Sequence, residues 1–423
     1  MQVWIIPLIV WQGEVMYLNR HAKKIIEELS AQFPAVMVLG ARQTGKTTLL
    51  KNITEGKGIQ YVTFDDASQE LSAKTDINGF LEFHPVPFMF DEIQYVPELF
   101  RGIKVKIDSD RHNGMYFLTG SQQFSLMQKA TETLAGRVAL VQLYGLSARE
   151  VRKDSFDFPF IPTREYILQR SAWFAANKDR QNVWNQIFTG GFPEVVTGSV
   201  SQKNFYPNYL RTYIERDIRT LSNISDELAF LKFIGVVASR TGQMLNYDDI
   251  AKECSISAVT AKKWISLLVT SGLVYLLQPY SANIEKRIVK TPKMYFMDTG
   301  LAANLTSWTN ADVIRSGAMA GAFFETYVIS EIVKSFTNQG QTPPLYFYRD
   351  KDKIEIDLMI VQDGKLWPVE IKKTYSPSKD DARNFHILQR INGIDVQNGT
   401  IVCNCQSPVI VKENVTAIPV EFV

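Results

Sequence analysis

The residues most clearly suited to chemistry form a glycine-rich loop near the amino terminus. Residues 40–47 read GARQTGKT, which has the spacing G-x-x-x-x-G-K-S/T. The loop follows the apolar run at 35–39 and precedes a helical pattern, an order that places backbone N–H groups around a phosphate. We predict that Lys46 contacts the β- and γ-phosphates and that Thr47 binds Mg²⁺. The full predicted nucleotide-binding set is Gly40, Ala41, Arg42, Gln43, Thr44, Gly45, Lys46, Thr47 and Thr48.

Two acidic residues at the end of a second apolar strand pattern fit the same chemistry. Residues 86–91 are mostly apolar and end in Asp91, which is followed by Glu92. Asp91 is suited to the water shell of Mg²⁺, and Glu92 is suited to polarise a water against the γ-phosphate as a general base. An acidic turn after a core strand would explain the pair alone, but beside Lys46 and Thr47 it is the minor explanation. The predicted cofactors are therefore ATP and Mg²⁺.

Two further residues are candidates for the catalytic set. Thr119 follows the strand pattern at 115–118, where its hydroxyl would sense the γ-phosphate or orient the attacking water. Arg137 precedes the strand pattern at 138–143, where it would act as a finger on the ATP of a neighbouring subunit. The alternatives are a polar strand end for Thr119 and an ordinary surface arginine for Arg137. A finger that acts on a neighbouring subunit predicts a homo-oligomer.

The composition is that of a globular protein with more than one domain. A chain of 423 residues exceeds one ordinary domain, and its 45% apolar and 21% charged residues are typical of a folded protein. Three cysteines give no disulfide framework and four scattered histidines give no zinc site, so we expect a reducing, cytoplasmic location. No apolar run approaches the roughly 20 residues that span a bilayer, so no membrane contact is expected. The net charge of +2 leaves DNA binding to be judged from local charge.

The alternation of strand and helix patterns predicts an α/β fold in which a parallel sheet carries helices on both faces. The strand candidates of this sheet are 35–39, 59–64, 86–91, 115–119 and 138–143. The predicted domains are an extension at 1–15, a P-loop ATPase domain at 16–150, a helical lid or linker at 151–225, a winged-helix domain at 226–283 and an α/β domain at 284–423. The extension either precedes the natural start at Met16 or forms a small added strand.

A helix-turn-helix pattern precedes the C-terminal domain. Helices are predicted at 247–253 and 258–270 and a strand at 273–277, which is the order of a winged helix. Cations concentrate on the second helix and beyond the strand. The candidate DNA contacts are Lys262, Lys263, Arg287 and Lys290. Such cations position phosphates and do not read bases, so branched or duplex DNA would be bound without sequence preference. The alternative is a module that contacts another protein.

Two carboxylates and a lysine form a candidate site in the C-terminal domain. Asp357 lies on one predicted strand, and Glu370 and Lys372 share a face of the next because side chains alternate along a strand. Glu325 lies on a preceding helix pattern. This set is suited to hold a second Mg²⁺ and to activate a water for phosphodiester cleavage. The alternative, which we favour, is a domain that binds DNA without cutting it efficiently.

The chain as a whole resembles the bacterial and archaeal AAA-type ATPases that pair a P-loop domain with a C-terminal DUF4143 region. The motifs that carry the resemblance are GARQTGKT at 40–47, FDEIQ at 90–94, LTGS at 118–121, LAGR at 134–137, GFPE at 191–194, YIERD at 213–217 and VEIK at 369–372. The resemblance implies an ASCE-type P-loop domain, binding and hydrolysis of ATP, and a C-terminal part similar to restriction-endonuclease-like folds. The segment before Met16 departs from the family pattern.

Three functions are compatible with these patterns. The first is an ATPase that acts on DNA, including branched or junction DNA, through the winged helix and the nuclease-like domain. The second is an ATP-dependent switch or scaffold that binds a protein and no DNA. The third is a nuclease that is gated by ATP and depends on Mg²⁺.

Overall fold

Five parallel strands form the first of two sheets in this computed structural model, which describes residues 17–121, 130, 132–177, 182–213, 227–280, 291–390 and 393–423. The strands are β1 (Ala35–Gly40), β2 (Gln60–Thr63), β3 (Phe88–Asp91), β4 (Tyr116–Ser121) and β5 (Val138–Gln142). Their order in the sheet is β2-β3-β4-β1-β5. Each predicted strand is present with its ends shifted by at most two residues, and the parallel-sheet P-loop fold is confirmed.

Both faces of this sheet are covered because the residues of β1 alternate between two apolar cores. Met37 and Leu39 pack into one core with Phe64 and Phe90, and Val36 belongs to the other. Strands buried on both faces are typical of parallel sheets, which explains why β1 is a continuous apolar run. The helices that cover the sheet are α1 (Ala22–Ser30), α2 (Lys46–Thr54), α3 (Ala67–Thr75), α4 (Ile77–Phe83) and α5 (Leu99–Ser109).

A helical region follows the sheet. Its helices are α6 (Ala148–Val151), α7 (Arg164–Ala176), α8 (Val183–Thr189), α9 (Pro193–Val196), α10 (Gln202–Tyr213) and α11 (Glu227–Ser239). These helices share one large apolar core with the rest of the chain, which extends from Ala41 and Ala148 to Val423. The YIERD motif at 213–217 lies almost wholly outside the described residues.

The predicted helix-turn-helix pattern is present as two short helices followed by strands. The elements are β6 (Gln243–Met244), α12 (Tyr247–Cys254), α13 (Ala258–Thr270), β7 (Val274–Pro279) and β8 (Lys293–Phe296). The side chain of Asn246 caps α12, and the hydroxyl of Ser257 accepts the Thr260 N–H at 3.0 Å to cap α13. Capping residues of this type satisfy backbone N–H groups that a helix start leaves free, which fixes where both helices begin.

The C-terminal part continues the sheet of β6, β7 and β8 into a mixed sheet. Its elements are α14 (Thr299–Leu305), α15 (Ala311–Ser316), α16 (Ala320–Thr337), β9 (Leu345–Arg349), β10 (Glu355–Gln362), β11 (Lys365–Lys372), β12 (Asp395–Val396), β13 (Gly399–Cys403), β14 (Val409–Lys412) and β15 (Val415–Pro419). The order is β14-β15-β13-β11-β10-β9-β7-β8-β6, with β12 beside β11. A parallel pairing of β7 with β9 joins the two halves. No helix in the described ranges is both long and apolar enough to cross a membrane.

Candidate functional site

The glycine-rich loop lies between the carboxyl end of β1 and the amino end of α2. Gly40 packs so closely on the next segment that a Cβ would lie 2.1 Å from the carbonyl oxygen of Leu143. Gly45 has φ of 90°, a conformation that favours glycine. Lys46 begins α2, and its ammonium donates to the carbonyl oxygens of Gly40 and Ala41 at 3.1 and 2.9 Å. The loop therefore folds back over the Lys46 side chain, whose ammonium contacts two of its carbonyl oxygens.

A buried arginine, Arg20, stabilises this loop, and the sequence motif did not predict its role. The Arg20 guanidinium donates to the carbonyl oxygen of Thr44 at 2.8 Å and to that of Tyr144 at 2.7 Å. It also pairs with Glu150 at 3.0 Å, where both side chains are almost fully buried. Because the partners are 24 to 130 residues away along the chain, no local pattern indicates this role.

Asp91 lies at the carboxyl end of β3, beside the loop, and both of its oxygens accept hydrogen bonds. Oδ1 accepts from the hydroxyl of Thr47 at 2.8 Å and also from the hydroxyl of Thr119. Oδ2 accepts from the hydroxyl of Tyr61 at 3.0 Å. Oxygen ligands of this kind are those that Mg²⁺ prefers, and Thr47 and Asp91 are close enough to share one ion and its water shell. The residues present therefore fit the Mg²⁺ that accompanies a bound nucleotide.

Glu92 follows Asp91 in a left-handed backbone conformation, with φ of 55°. Its backbone N–H donates to the hydroxyl of Thr119 at 3.0 Å, and its carboxylate accepts from the side-chain amide of Gln94. A non-glycine residue with positive φ is uncommon and often marks a functional site. The structure thus places the predicted catalytic and Mg²⁺-binding residues of the P-loop part together at this edge of the sheet, with the exception of Arg137. Gln94 lies in the quoted FDEIQ motif, but no role was predicted for it.

The remaining residues of the predicted nucleotide set differ in their surroundings, and two of them line a cavity next to the loop. Arg42 donates to the hydroxyl of Tyr95 at 3.0 Å, and Thr44 bonds the carbonyl oxygen of Ala41 at 2.9 Å. Gln43 and Thr48 are exposed and line a cavity of about 370 Å³. Its other walls are Tyr17, Leu18, Arg20, Gly45, Leu146, Pro193, Glu194, Thr197 and Ser199. A largely apolar cavity of this size suits the base and sugar of a nucleotide.

Arg137 lies at the opposite edge of the sheet from the loop. Its backbone carbonyl accepts from the N–H of Ala35, the first residue of β1, whereas the loop follows the last residue. The guanidinium donates to both oxygens of Asp108 on α5, at 2.6 and 3.0 Å. The structure therefore does not bring Arg137 to the nucleotide site of its own chain, and its role toward a neighbouring subunit stays a prediction.

The carboxylates and lysine predicted in the C-terminal part lie together on β10 and β11. The Lys372 ammonium is 2.9 Å from Asp357 Oδ2 and 2.6 Å from Glu370 Oε2. Burial, followed by the Asp357 charge, raises the pKa of Glu370 to about 9. Burial opposes ionisation of Asp357, but Lys372 and Lys293 hold its pKa below the usual value. In the described part of the chain, no three acidic, histidine or cysteine side chains are grouped to hold a metal ion.

Glu325 on α16 belongs to the same buried region but has partners of its own. The ammonium of Lys293, on β8, lies 3.1 Å from Glu325 and 2.5 Å from Glu355. The hydroxyl of Tyr295 donates to Glu325 at 2.6 Å. Burial, together with Asp357, raises the pKa of Glu325 against the effect of Lys293. Lys293 and Tyr295 were missed as site residues because they come from a different part of the chain.

Two of the four candidate DNA contacts lie on the exposed face of α13. Lys262 and Lys263 are exposed there with Val259 and Ser266, and α13 contains no acidic residue. Arg287 and Lys290 lie outside the described residues. Lys262 and Lys263 therefore have no acidic residue on their own helix.

The loop, the acidic strand and the strand order define a P-loop domain of the AAA type. Comparison with protein families agrees: residues 32–152 match the family described as AAA domain, and residues 320–423 match Domain of unknown function (DUF4143). Residues 180–312 match Domain of unknown function (DUF8612). The P-loop part of the chain thus matches the AAA domain family and the C-terminal part matches DUF4143, which confirms the resemblance seen in the sequence.

Two mycobacterial proteins are similar over most of the chain. They are described as Uncharacterized protein Mb2031c of Mycobacterium bovis and Uncharacterized protein Rv2008c of Mycobacterium tuberculosis, each 27% identical over 352 residues, or 82% of this chain and 71% of theirs. Among solved structures, the Walker-type ATPase PABY2304 of Pyrococcus abyssi is 14% identical with a TM-score of 0.42, covering 68% of this chain and 96% of that one. The RuvB Holliday junction branch migration motor of Thermotoga maritima is 15% identical with a TM-score of 0.29, covering 60% and 86%. Both structural similarities are distant.

Proposed function

We propose that this protein binds ATP with Mg²⁺ and hydrolyses it, and that it uses the nucleotide cycle to act on DNA. The observation that carries the proposal is the convergence of Lys46, Thr47, Asp91, Glu92 and Thr119 at one edge of the sheet. The cavity beside Gly45 and Thr48 would take the base and sugar. Arg137 would complete the site of a neighbouring subunit in a homo-oligomer, with Asp108 holding it until the subunits meet.

The residues of this site would divide the chemistry of hydrolysis among them. Lys46 would exchange the carbonyl oxygens of Gly40 and Ala41 for phosphate oxygens, which carry full negative charge and bind an ammonium more strongly. Glu92 would accept the proton of the attacking water, and Gln94 and Thr119 hold the segment that carries it. When bound, Mg²⁺ neutralises charge on the β- and γ-phosphates.

The test of the nucleotide site is a pair of variants that differ in which step they remove. We expect Lys46→Ala to abolish hydrolysis and weaken ATP binding, because the phosphate cradle loses its cation. Glu92→Gln should keep ATP affinity and lose turnover by roughly a hundredfold or more, because only proton acceptance is removed. Equilibrium binding of a fluorescent ATP analogue and release of phosphate measure the two effects. Near-wild-type turnover in both variants would contradict the assignment.

The DNA part of the proposal rests on the exposed Lys262 and Lys263. Two lysines on a helix without acids are suited to phosphate contacts. A second candidate function, Mg²⁺-dependent cleavage, is favoured by the contact of Lys372 with Asp357 and Glu370, because two carboxylates and an ammonium are the groups that such cleavage uses. We favour binding without efficient cleavage, since the Lys372 ammonium already contacts both carboxyl groups and a metal ion would have to compete with it.

A further inference from the structure

The hydroxyl of Tyr61 is the described partner of one oxygen of Asp91. Tyr61 lies on β2, the edge strand next to β3, and its hydroxyl donates to Asp91 Oδ2 at 3.0 Å. The other oxygen, Oδ1, faces Thr47 and Thr119. The two oxygens of Asp91 are therefore turned in different directions, one toward the phosphate-binding loop and one toward β2.

The strand register explains why this contact needs a long or aromatic side chain. Thr63 is the register partner of Asp91, and Tyr61 lies two residues earlier on the same face of β2. Such diagonal neighbours are about 7–8 Å apart at Cα, a distance that only a long or aromatic side chain bridges. A serine or threonine at position 61 would not reach Asp91.

A lysine of the helix that begins in the loop fixes the Tyr61 ring. The Lys51 ammonium lies 3.9 Å from the ring centroid. Lys51 is four residues after Thr47 on α2, so both side chains lie on the same face of that helix. The phenol hydroxyl is the donor in the contact with Asp91 Oδ2, because an ionised carboxylate oxygen can only accept.

We propose that Tyr61 is a positioning residue for the divalent cation of the nucleotide site. By holding Oδ2, it fixes the rotation of the Asp91 carboxylate so that Oδ1 stays beside Thr47, where the ion and its waters bind. Without this bond the carboxylate would be held through Oδ1 by the Thr47 and Thr119 hydroxyls, and it would lose part of its orientation toward the ion. The inference rests on the proposed nucleotide site and adds a residue that its sequence motifs do not contain.

The test is Tyr61→Phe, which keeps the ring over Lys51 and removes only the hydroxyl. We would titrate MgCl₂ into protein with a fluorescent, non-hydrolysable ATP analogue and measure equilibrium binding. The half-saturating Mg²⁺ concentration should rise about three- to tenfold, which is the change in affinity that the loss of one hydrogen bond produces. Binding of the analogue in EDTA should stay within about twofold of wild type, and kcat at saturating Mg²⁺ should fall less than the apparent Mg²⁺ affinity.

The matched control is Tyr375→Phe. Tyr375 is an exposed tyrosine of the C-terminal part and does not line the cavity of the proposed nucleotide site. It should leave the Mg²⁺ titration unchanged. An unchanged Mg²⁺ requirement in Tyr61→Phe would overturn this inference but not the proposed function. An equal loss of analogue binding with and without Mg²⁺ would also overturn it, because it would indicate a structural role for Tyr61. A wild-type protein that binds no nucleotide at any Mg²⁺ concentration would overturn the proposed function and this inference with it.

Discussion

At the scale of single residues, the contacts of Lys372 bear most directly on whether the C-terminal site cleaves DNA or only binds it. Its ammonium contacts Asp357 and Glu370 at 2.9 and 2.6 Å, so one cation serves two buried carboxylates. The backbone N–H of Ile371 adds a further bond to Asp357 at 2.9 Å. A carboxylate pair that already contacts a lysine gains less from a metal ion than an unpaired one, because the ion must compete with the lysine. The pair is not fully satisfied, since Oε1 of Glu370 is buried without a hydrogen-bond partner among the described residues.

The variant Asp357→Ala distinguishes a C-terminal site that cleaves DNA from one that only binds it. We expect purified wild-type protein to leave supercoiled plasmid intact in Mg²⁺ or Mn²⁺, as judged by agarose gel. The substitution should leave DNA affinity unchanged or raise it, because it removes a negative charge near phosphate. Lys372 then stays bound to Glu370. Metal-dependent nicking by the wild type that is lost in Asp357→Ala would prove our preference wrong and favour the nuclease.

At the scale of elements, α13 is the helix on which the DNA hypothesis depends. Its exposed face carries Lys262 and Lys263, and its buried face packs Trp264 and Ile265 into the core. This division of faces follows from the 3.6-residue period and predicts that the lysines can be changed without loss of the fold.

The double variant Lys262→Ala, Lys263→Ala should weaken binding to duplex and four-way DNA alike. If each lysine neutralises one phosphate, the slope of log affinity against log salt should flatten by roughly two. Fluorescence anisotropy at several salt concentrations measures this slope. The control replaces Lys57 and Lys74, two exposed lysines of the ATPase part, and removes the same charge. Equal affinity in both double variants, or no DNA binding by the wild type, would favour the protein-binding switch.

The elements also show what the sequence can and cannot predict. The five strands around the loop were predicted because each is a short apolar run, and the start of α13 because Ser257 is a capping residue. The cap of α12 by Asn246 was not predicted. The pairing of β7 with β9 was not predicted, since strand neighbours far apart in the chain leave no local pattern. The same limit applies at the site. The loop motif predicted Lys46, but Arg20 and Tyr61 act through contacts that only the folded chain creates.

At the scale of the whole molecule, α16 connects the ATPase part to the C-terminal site. Near its end, Glu331 accepts the N–H of Ala148 at 2.7 Å, and Lys334 donates to the carbonyl oxygen of Leu146 at 3.2 Å. Leu146 also lines the nucleotide cavity and donates to Gly191 at 2.6 Å. Earlier on the same helix, Glu325 contacts Lys293 and Tyr295. One helix thus contacts Leu146 at the nucleotide cavity and Lys293 and Tyr295 beside the C-terminal carboxylates.

The buried pair Glu331–Lys334 should therefore contribute to the stability of the whole chain. The two side chains are 2.7 Å apart and each about 5% exposed. Glu331→Ala leaves the Lys334 ammonium and the Ala148 N–H without their carboxylate, and we expect a loss of about 3–5 kcal/mol in the free energy of unfolding. The double variant Glu331→Leu, Lys334→Met should lose less, because no charge remains buried. Urea unfolding followed by tryptophan fluorescence compares these variants with Glu413→Ala, an exposed control. A single variant as stable as the control would show that the pair does not hold α16 to the ATPase part.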